Sequence, residues 1–438
     1  FKLPPAHRLV LDANGKIELH RYWNVLDSVG QRAGRSEDDL TDELEALMID
    51  AFKYRMVSDV PVGVLLSGGI DSSVVAAILQ KHGGQQIKTF TIGFDDPKFD
   101  ESNHASEVAR HLGTEHHSRT LRVEDAKQLL PSWGDLYDEP FGDESGVPTL
   151  MVSQVAAERV KVVLSADGGD ELFSGYNGHT AMLSQWNRIK DLPRPLRSFT
   201  AAAVKGMGTG HLSAFLGSRH DSAVGRSAAP AVSRLLRFGD RVGARGLGEL
   251  YDGALAQFGD DELHKLIGHA PVHRKLADEY PGSPGEQLCL WDLHHYMSGD
   301  VLTKVDRATM AVSIEGREPL IDHRLVEFAF SIPFELRRGA LGPKHLLRKV
   351  LYRYVPREMV DRPKRGFAVP VKQWLATDLS SLVRDHFAPD LIAKQGIFEP
   401  TMVRDYVRRL QAGDPSVRQR IWSMLAFQMW HARWMSPR

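Results

Sequence analysis

Val60-Pro61-Val62-Gly63-Val64-Leu65-Leu66 is an almost unbroken apolar run, which predicts a strand buried on both faces. A Gly-rich turn follows, and from Ile70 the pattern is helical as far as Gly83-Gly84. Upstream, Leu40, Leu44, Leu47, Met48, Ala51 and Phe52 recur at helical spacing behind the cap pair Ser36 and Asp39. The alternation then repeats. Ile87 to Ile92 reads as a strand, Glu101 to Leu112 as a helix, His116 to Leu121 as a strand, Pro148 to Glu158 as a helix and Lys161 to Ser165 as a strand. Such a series predicts an α/β fold, a doubly wound parallel sheet covered by helices.

The flanks read differently. Arg8 to Leu11 and Ile17 to Leu19 bracket an Asn14-Gly15 hairpin turn. After about residue 176 strand signals fade into a largely helical C-terminal lobe, broken by loops at Pro193-Arg194-Pro195 and Gly206 to Gly210. The expected organisation is a lead-in at 1–35, an α/β nucleotide-binding core at 36–180 and a helical part at 181–438, without a clean linker between the last two.

Composition narrows the partners. The 438 residues are 42% hydrophobic and 25% charged with a formal net charge of −1, so neither disorder nor nucleic-acid binding is indicated. No apolar run approaches the roughly 18 residues that cross a bilayer. The one cysteine, Cys289, excludes an internal disulfide framework and suits a reducing compartment, so a cytoplasmic location is expected.

Two strings carry chemistry. Ser67-Gly68-Gly69-Ile70-Asp71-Ser72-Ser73 joins a strand to a helix, where unpaired N–H groups and the helix dipole favour phosphate. It lacks the Gly-Lys-Ser/Thr of a Walker loop, which argues against ordinary γ-phosphoryl transfer. The string resembles that of the ATP-pyrophosphatase, or PP-loop, family, which implies cleavage of ATP between its α- and β-phosphates. The second string, Ser165-Ala166-Asp167-Gly168-Gly169-Asp170-Glu171, sets three carboxylates among glycines just past a strand, at the carboxyl edge where open α/β sheets bind ligands. A solvated acidic loop is the plain alternative. Its position after a buried strand favours a pair, Asp71 and Asp170, holding Mg²⁺ on pyrophosphate oxygens.

Together the strings resemble the synthetase domain of glutamine-dependent asparagine synthetases. Further segments agree, among them Asp138-Glu139-Pro140-Phe141, Leu302-Thr303-Lys304-Val305-Asp306-Arg307-Ala308, Glu315-Gly316-Arg317-Glu318-Pro319 and Arg362-Pro363-Lys364-Arg365-Gly366-Phe367. The resemblance implies a HUP-like sheet with ATP and Mg²⁺ as cofactors, Leu66 and Ile92 near adenine, and Ser165 and Gly168 beside the nucleotide. It also implies an acyl-adenylate formed on a small-molecule carboxylate and opened by ammonia, Asp167 standing where the family more often has Glu. Among the eleven Lys and Arg residues between Arg337 and Lys372, Lys364 in its Pro-Gly loop is expected to reach the scissile phosphate. Arg317 and Arg307 are weaker catalytic candidates, because an Arg beside an acid is often a structural ion pair.

The histidine pairs His116-His117 and His294-His295 are sequence neighbours with poor geometry for a metal. Trp422, Met429, Trp430 and Trp434 share helical spacing, as core or as a homodimer contact.

Departures from the family concern both substrates. Glutamine-dependent members start with a nucleophilic Cys, whereas this chain starts with Phe1 and resembles the family from just after the glutaminase domain, so an N-terminal glutaminase domain is expected to be missing from it. Glu144 is expected to repel a dicarboxylate. Aspartate, another carboxylate such as a sugar uronate, a lactam-closing reaction and a catalytically silent binding protein all stay open.

Overall fold

A computed structural model of the chain describes residues 2–32, 34–95, 100–209, 239, 241–269, 280–362 and 370–435. Strands β1 (His7–Leu11) and β2 (Ile17–Arg21) form the antiparallel hairpin expected at Asn14-Gly15, with Asp12 Oδ1 accepting from the Asn14 and Lys16 amides.

The main sheet has five parallel strands, β3 (Val62–Leu65), β4 (Lys88–Phe94), β5 (Glu115–Leu121), β6 (Val162–Leu164) and β7 (Glu315–Arg317), in the order β5-β4-β3-β6-β7. The α/β reading and its first four strands therefore hold. From β3 the chain steps outward to β4 and β5, then returns to the other side of β3 as β6. The reversal sets the carboxyl ends of β3 and β6 side by side, the place where sheets of this kind bind ligands.

β7 corrects the expectation that strands end near residue 176. Glu315-Gly316-Arg317 is three residues long and has no apolar alternation, so only its pairing with β6 makes it a strand.

Helices α1 (Glu37–Met56), α2 (Ile70–His82) and α3 (Ser102–Leu112) cover the sheet. α1 opens on Ser36, whose side chain accepts from the Asp39 amide, as the cap pair predicts. α2 is buried on nearly all sides, from Ile70 through Leu79, packing on α1 and on the helix His345–Leu351. Each fully buried Val, Ile or Leu stabilises by about 1.5–3 kcal/mol, so α2 anchors the turn at its start.

The chain divides into two compact units. One comprises 1–175, 266–268 and 292–438, so the C-terminal stretch clusters with the sheet. The other comprises 176–265 and 269–291; its core gathers Met182, Ala244, Leu247, Leu250, Tyr251 and Leu288, and Cys289 is buried in its helix Pro284–Trp291. Among the described residues no helix is long and apolar enough to cross a membrane.

Candidate active site

The turn after β3 is built from its own polar atoms. Leu66 N–H donates to the Phe90 carbonyl at 2.8 Å, which commits this amide to the sheet. Ser67 N–H donates to Ser72 Oγ at 3.1 Å, and the Ser67 and Ser72 hydroxyls lie 3.0 Å apart. Gly68 has a φ of +73°, and a Cβ there would sit 2.8 Å from the Ala105 amide nitrogen, so only glycine fits between the turn and α3. Gly69 caps α2, whose first-turn N–H groups lack intrahelical acceptors. Ser73 N–H donates to the Gly69 carbonyl and its side chain is fully buried. Ile92 is buried within β4.

The turn after β6 comes back to the same point. Ser165 N–H donates to the Arg317 carbonyl at 3.0 Å, and Ser165 Oγ donates to Asp167 Oδ2 at 2.7 Å. Gly168 is left-handed and leads into the single turn Gly169–Leu172, which carries Asp170. A Cβ on Gly169 would fall 2.2 Å from Asp71 Oδ1, so the Asp71 carboxylate lies directly against the backbone of the second turn. Asp71 and Asp170 thus converge, as their spacing in the fold predicts.

A lysine that sequence reasoning passed over sits between them. Lys344 Nζ lies 2.8 Å from Asp170 Oδ1 and donates to Asp71 Oδ2. Burial pulls its pKa down, but the charges of Asp170 and Asp71 more than offset this and hold it well above the usual lysine value. The carboxylate pair is therefore assembled around a positive charge.

The basic segment supplies a second contact. Arg362 donates to Glu101 Oε1 at 2.8 Å and to the Ser67 carbonyl at 3.4 Å, so its side chain ties to the turn after β3. Lys364 itself lies outside the described residues.

The two candidate arginines are engaged elsewhere. Arg317 NH1 donates at 2.8 Å to the carbonyls of Arg55 and Val57, at the end of α1, while Nε donates to Glu315. It caps a helix C-terminus. Arg307 is paired with Asp138 at 3.1 Å and with Asp306. Both weaker catalytic candidates are thus held in hydrogen bonds and ion pairs of the fold.

The asparagine synthase family model covers residues 43–432. The chain belongs to the asparagine synthase family.

Family relatives include glutamine-hydrolyzing asparagine synthetase 1 of Bacillus subtilis (strain 168), 30% identical over 98% of this chain and 65% of that protein. A putative glutamine-hydrolyzing asparagine synthetase of Mycobacterium tuberculosis (strain ATCC 25618 / H37Rv) is 32% identical over 89% of this chain and 57% of its own length. Amidase chry2 of Gibberella zeae is 25% identical over 85% and 59%. The chain thus spans less than two thirds of the length of these relatives.

In this family member a second buried cluster adjoins Asp167. The π-helical segment Asp292–Val301 runs into the helix Leu302–Met310 and presents Asp300 and Lys304. Lys304 Nζ lies 3.1 Å from Asp143 Oδ2 and 2.9 Å from Ser145 Oγ. Burial raises the Asp143 pKa, but the Lys304 charge and the Ser145 hydrogen bonds keep it below the ordinary value. Asp300 is pushed up to about 7 by burial and by the Asp143 charge. Glu318, the first residue past β7, is likewise pushed up to about 7, by burial and then by Asp167 and Asp306. Burial opposes the Lys304 charge, yet Asp143, Asp167 and Asp300 raise its pKa.

Glu144 has a partner of opposite charge. Its carboxylate pairs with Lys372 at 2.5 Å, and Lys372 also donates to Gln419 at 2.5 Å. A compensated charge repels an incoming dicarboxylate far less than a bare one.

His116 Nδ1 lies 2.9 Å from Thr89 Oγ1, and His117 stacks on Phe90. Among the described residues no group of three or more His, Cys, Asp or Glu is placed to share a metal. Trp422 and Met429 are core residues; the indoles of Trp430 and Trp434 donate to the carbonyls of Asp138 and Gly134 at 3.0 and 2.8 Å.

Proposed function

We propose that this chain is the ATP-using part of an amide-forming ligase that activates a carboxylate as an acyl-adenylate and passes it to ammonia. One observation carries the reading: the Ser67–Ser73 turn and the Asp167–Glu171 turn meet at the β3/β6 reversal, with Asp71 and Asp170 on one cation. The family resemblance supports the same chemistry.

The α2 N-terminus and the Ser67 and Ser72 hydroxyls would bind the β- and γ-phosphates. Asp71 and Asp170 would hold Mg²⁺, which when bound neutralises charge on the leaving pyrophosphate. Lys344, and Lys364 from its loop, would stabilise the same charge. The acceptor carboxylate forms a bond to the α-phosphorus as the bond to the β-phosphate oxygen breaks and pyrophosphate leaves. Ammonia then bonds to the acyl carbon, the bond to the AMP oxygen breaks, and Asp167 takes a proton from the nitrogen.

Aspartate is the first acceptor to test, supported by the relatives' names and by the Glu144–Lys372 pair. A carboxylate of another class is the second reading, supported by the acidic groups around Lys304. Several relatives are longer and named glutamine-hydrolyzing, so glutamine delivered through a separate N-terminal domain is the proposed ammonia source. A cytoplasmic location fits this substrate set. ATP-to-pyrophosphate exchange with a panel of carboxylates tests the reading. Aspartate-dependent exchange supports the first acceptor, exchange with a different acid alone moves it to the second, and no exchange with any acid favours a silent binding protein.

A further inference from the structure

We infer that Lys344 is a built-in counter-ion competing with the divalent cation for Asp71 and Asp170, so that metal enters this site with the nucleotide and not ahead of it. The inference rests on the reading of these two aspartates as metal ligands.

Its basis is the way Lys344 is held. The side chain is 6% exposed, and Nζ contacts both carboxylates. The backbone is fixed in the left-handed region at φ +62°, a costly conformation for a residue with a Cβ. Its N–H donates to the Phe173 carbonyl at 3.0 Å, and its carbonyl accepts from Arg348 at 2.8 Å as the helix His345–Leu351 begins. Lys344 is therefore no long surface side chain that strayed onto an acid; its main chain is pinned so that the ammonium reaches the carboxylates.

Nζ touches one oxygen of each carboxylate, so an ion that takes those two oxygens displaces it. Metal arriving alone would take from a buried ammonium the two anions that hold it, and leaving a buried charge unpaired is strongly unfavourable. A polyphosphate changes the balance, because its oxygens give the ammonium a new partner at hand. Metal and nucleotide should then bind with positive coupling, each raising the other's affinity by the same factor.

The test measures Mn²⁺ binding by the electron paramagnetic resonance of free Mn²⁺, with and without α,β-methylene-ATP, on wild-type protein, Lys344→Met and Lys344→Gln. Wild-type protein should bind Mn²⁺ poorly alone, and Lys344→Met should bind it roughly tenfold more tightly in the absence of nucleotide, with the coupling to the analogue reduced. A lysine with only a structural role would give no such gain. Unchanged or weaker binding by a folded variant, with analogue-dependent binding intact in wild type, overturns the counter-ion role and leaves the ligand reading standing. Lys344→Gln serves if the Met variant fails to fold. Tight Mn²⁺ binding by wild-type protein without nucleotide overturns the inference with no variant needed. No Mn²⁺ binding by wild type even with the analogue removes the two aspartates as ligands and the inference with them.

Discussion

Lys304 holds Asp143 at 3.1 Å across 161 residues of sequence, tying the loop ahead of the helix Gly146–Ala157 to the helix Leu302–Met310. Both groups are largely buried, with side-chain exposures of 13% and 19%. Removing one partner leaves the other charge without its counter-ion. Lys304→Met should therefore lower unfolding free energy by about 3 kcal/mol, measured by urea denaturation at pH 7. A loss below about 0.5 kcal/mol would mean that solvent takes over the role of Lys304.

Glu318 makes stability depend on pH in a defined direction. Its carboxyl rises from 4.5 in the unfolded chain to about 7 in the fold, so the folded state binds more protons between these values. Stability should fall as pH rises from about 4.5 towards 7, with no further contribution above that range. Glu318→Gln should flatten this slope and raise stability at pH 8 by on the order of 3 kcal/mol. Urea melts of both proteins at pH 5 and pH 8 check it, and equal slopes would refute the burial effect.

Gly169→Ala tests whether the two turns must touch. The added Cβ would lie 2.2 Å from Asp71 Oδ1, so the carboxylate or the turn has to move. Pyrophosphate exchange should fall by roughly 100-fold, the scale at which misplaced catalytic groups act. The melting temperature should fall too, because moving the Asp71 carboxylate disturbs its buried pair with Lys344, and an unchanged exchange rate would show that the two turns need not touch.

Arg317 separates a helix cap from a catalytic group. Its hydrogen bonds to the Arg55 and Val57 carbonyls predict that Arg317→Met destabilises the fold by about 2 kcal/mol, while the folded fraction keeps its KM for ATP. A large fall in kcat with unchanged stability would restore the catalytic role.

The sheet was legible in the sequence where its strands were apolar runs or led into a Gly-rich turn, as at Val62–Leu65 and Val162–Leu164. β7 was not, because Glu315-Gly316-Arg317 owes its extended form to pairing with β6 rather than to its own pattern. Similarly, Asp71 and Asp170 stood out because each sits just past a buried strand, in a string dense with glycine. Lys344 did not, being one of eleven basic residues in a stretch where composition treats them alike.

The sequence by itself determined the α/β alternation, the two turns at strand ends and the residue types available to bind phosphate and a cation. These follow from local periodicity and from the backbone that glycine permits. Tertiary structure alone decided which charge faces which. It brought Lys344 to Asp71 across 273 residues, turned Arg317 onto the end of α1 and gave Glu144 the partner Lys372. Ion pairs of this kind depend on distances of a few ångströms between remote segments, and those distances exist only once the sheet order has folded the chain back on itself.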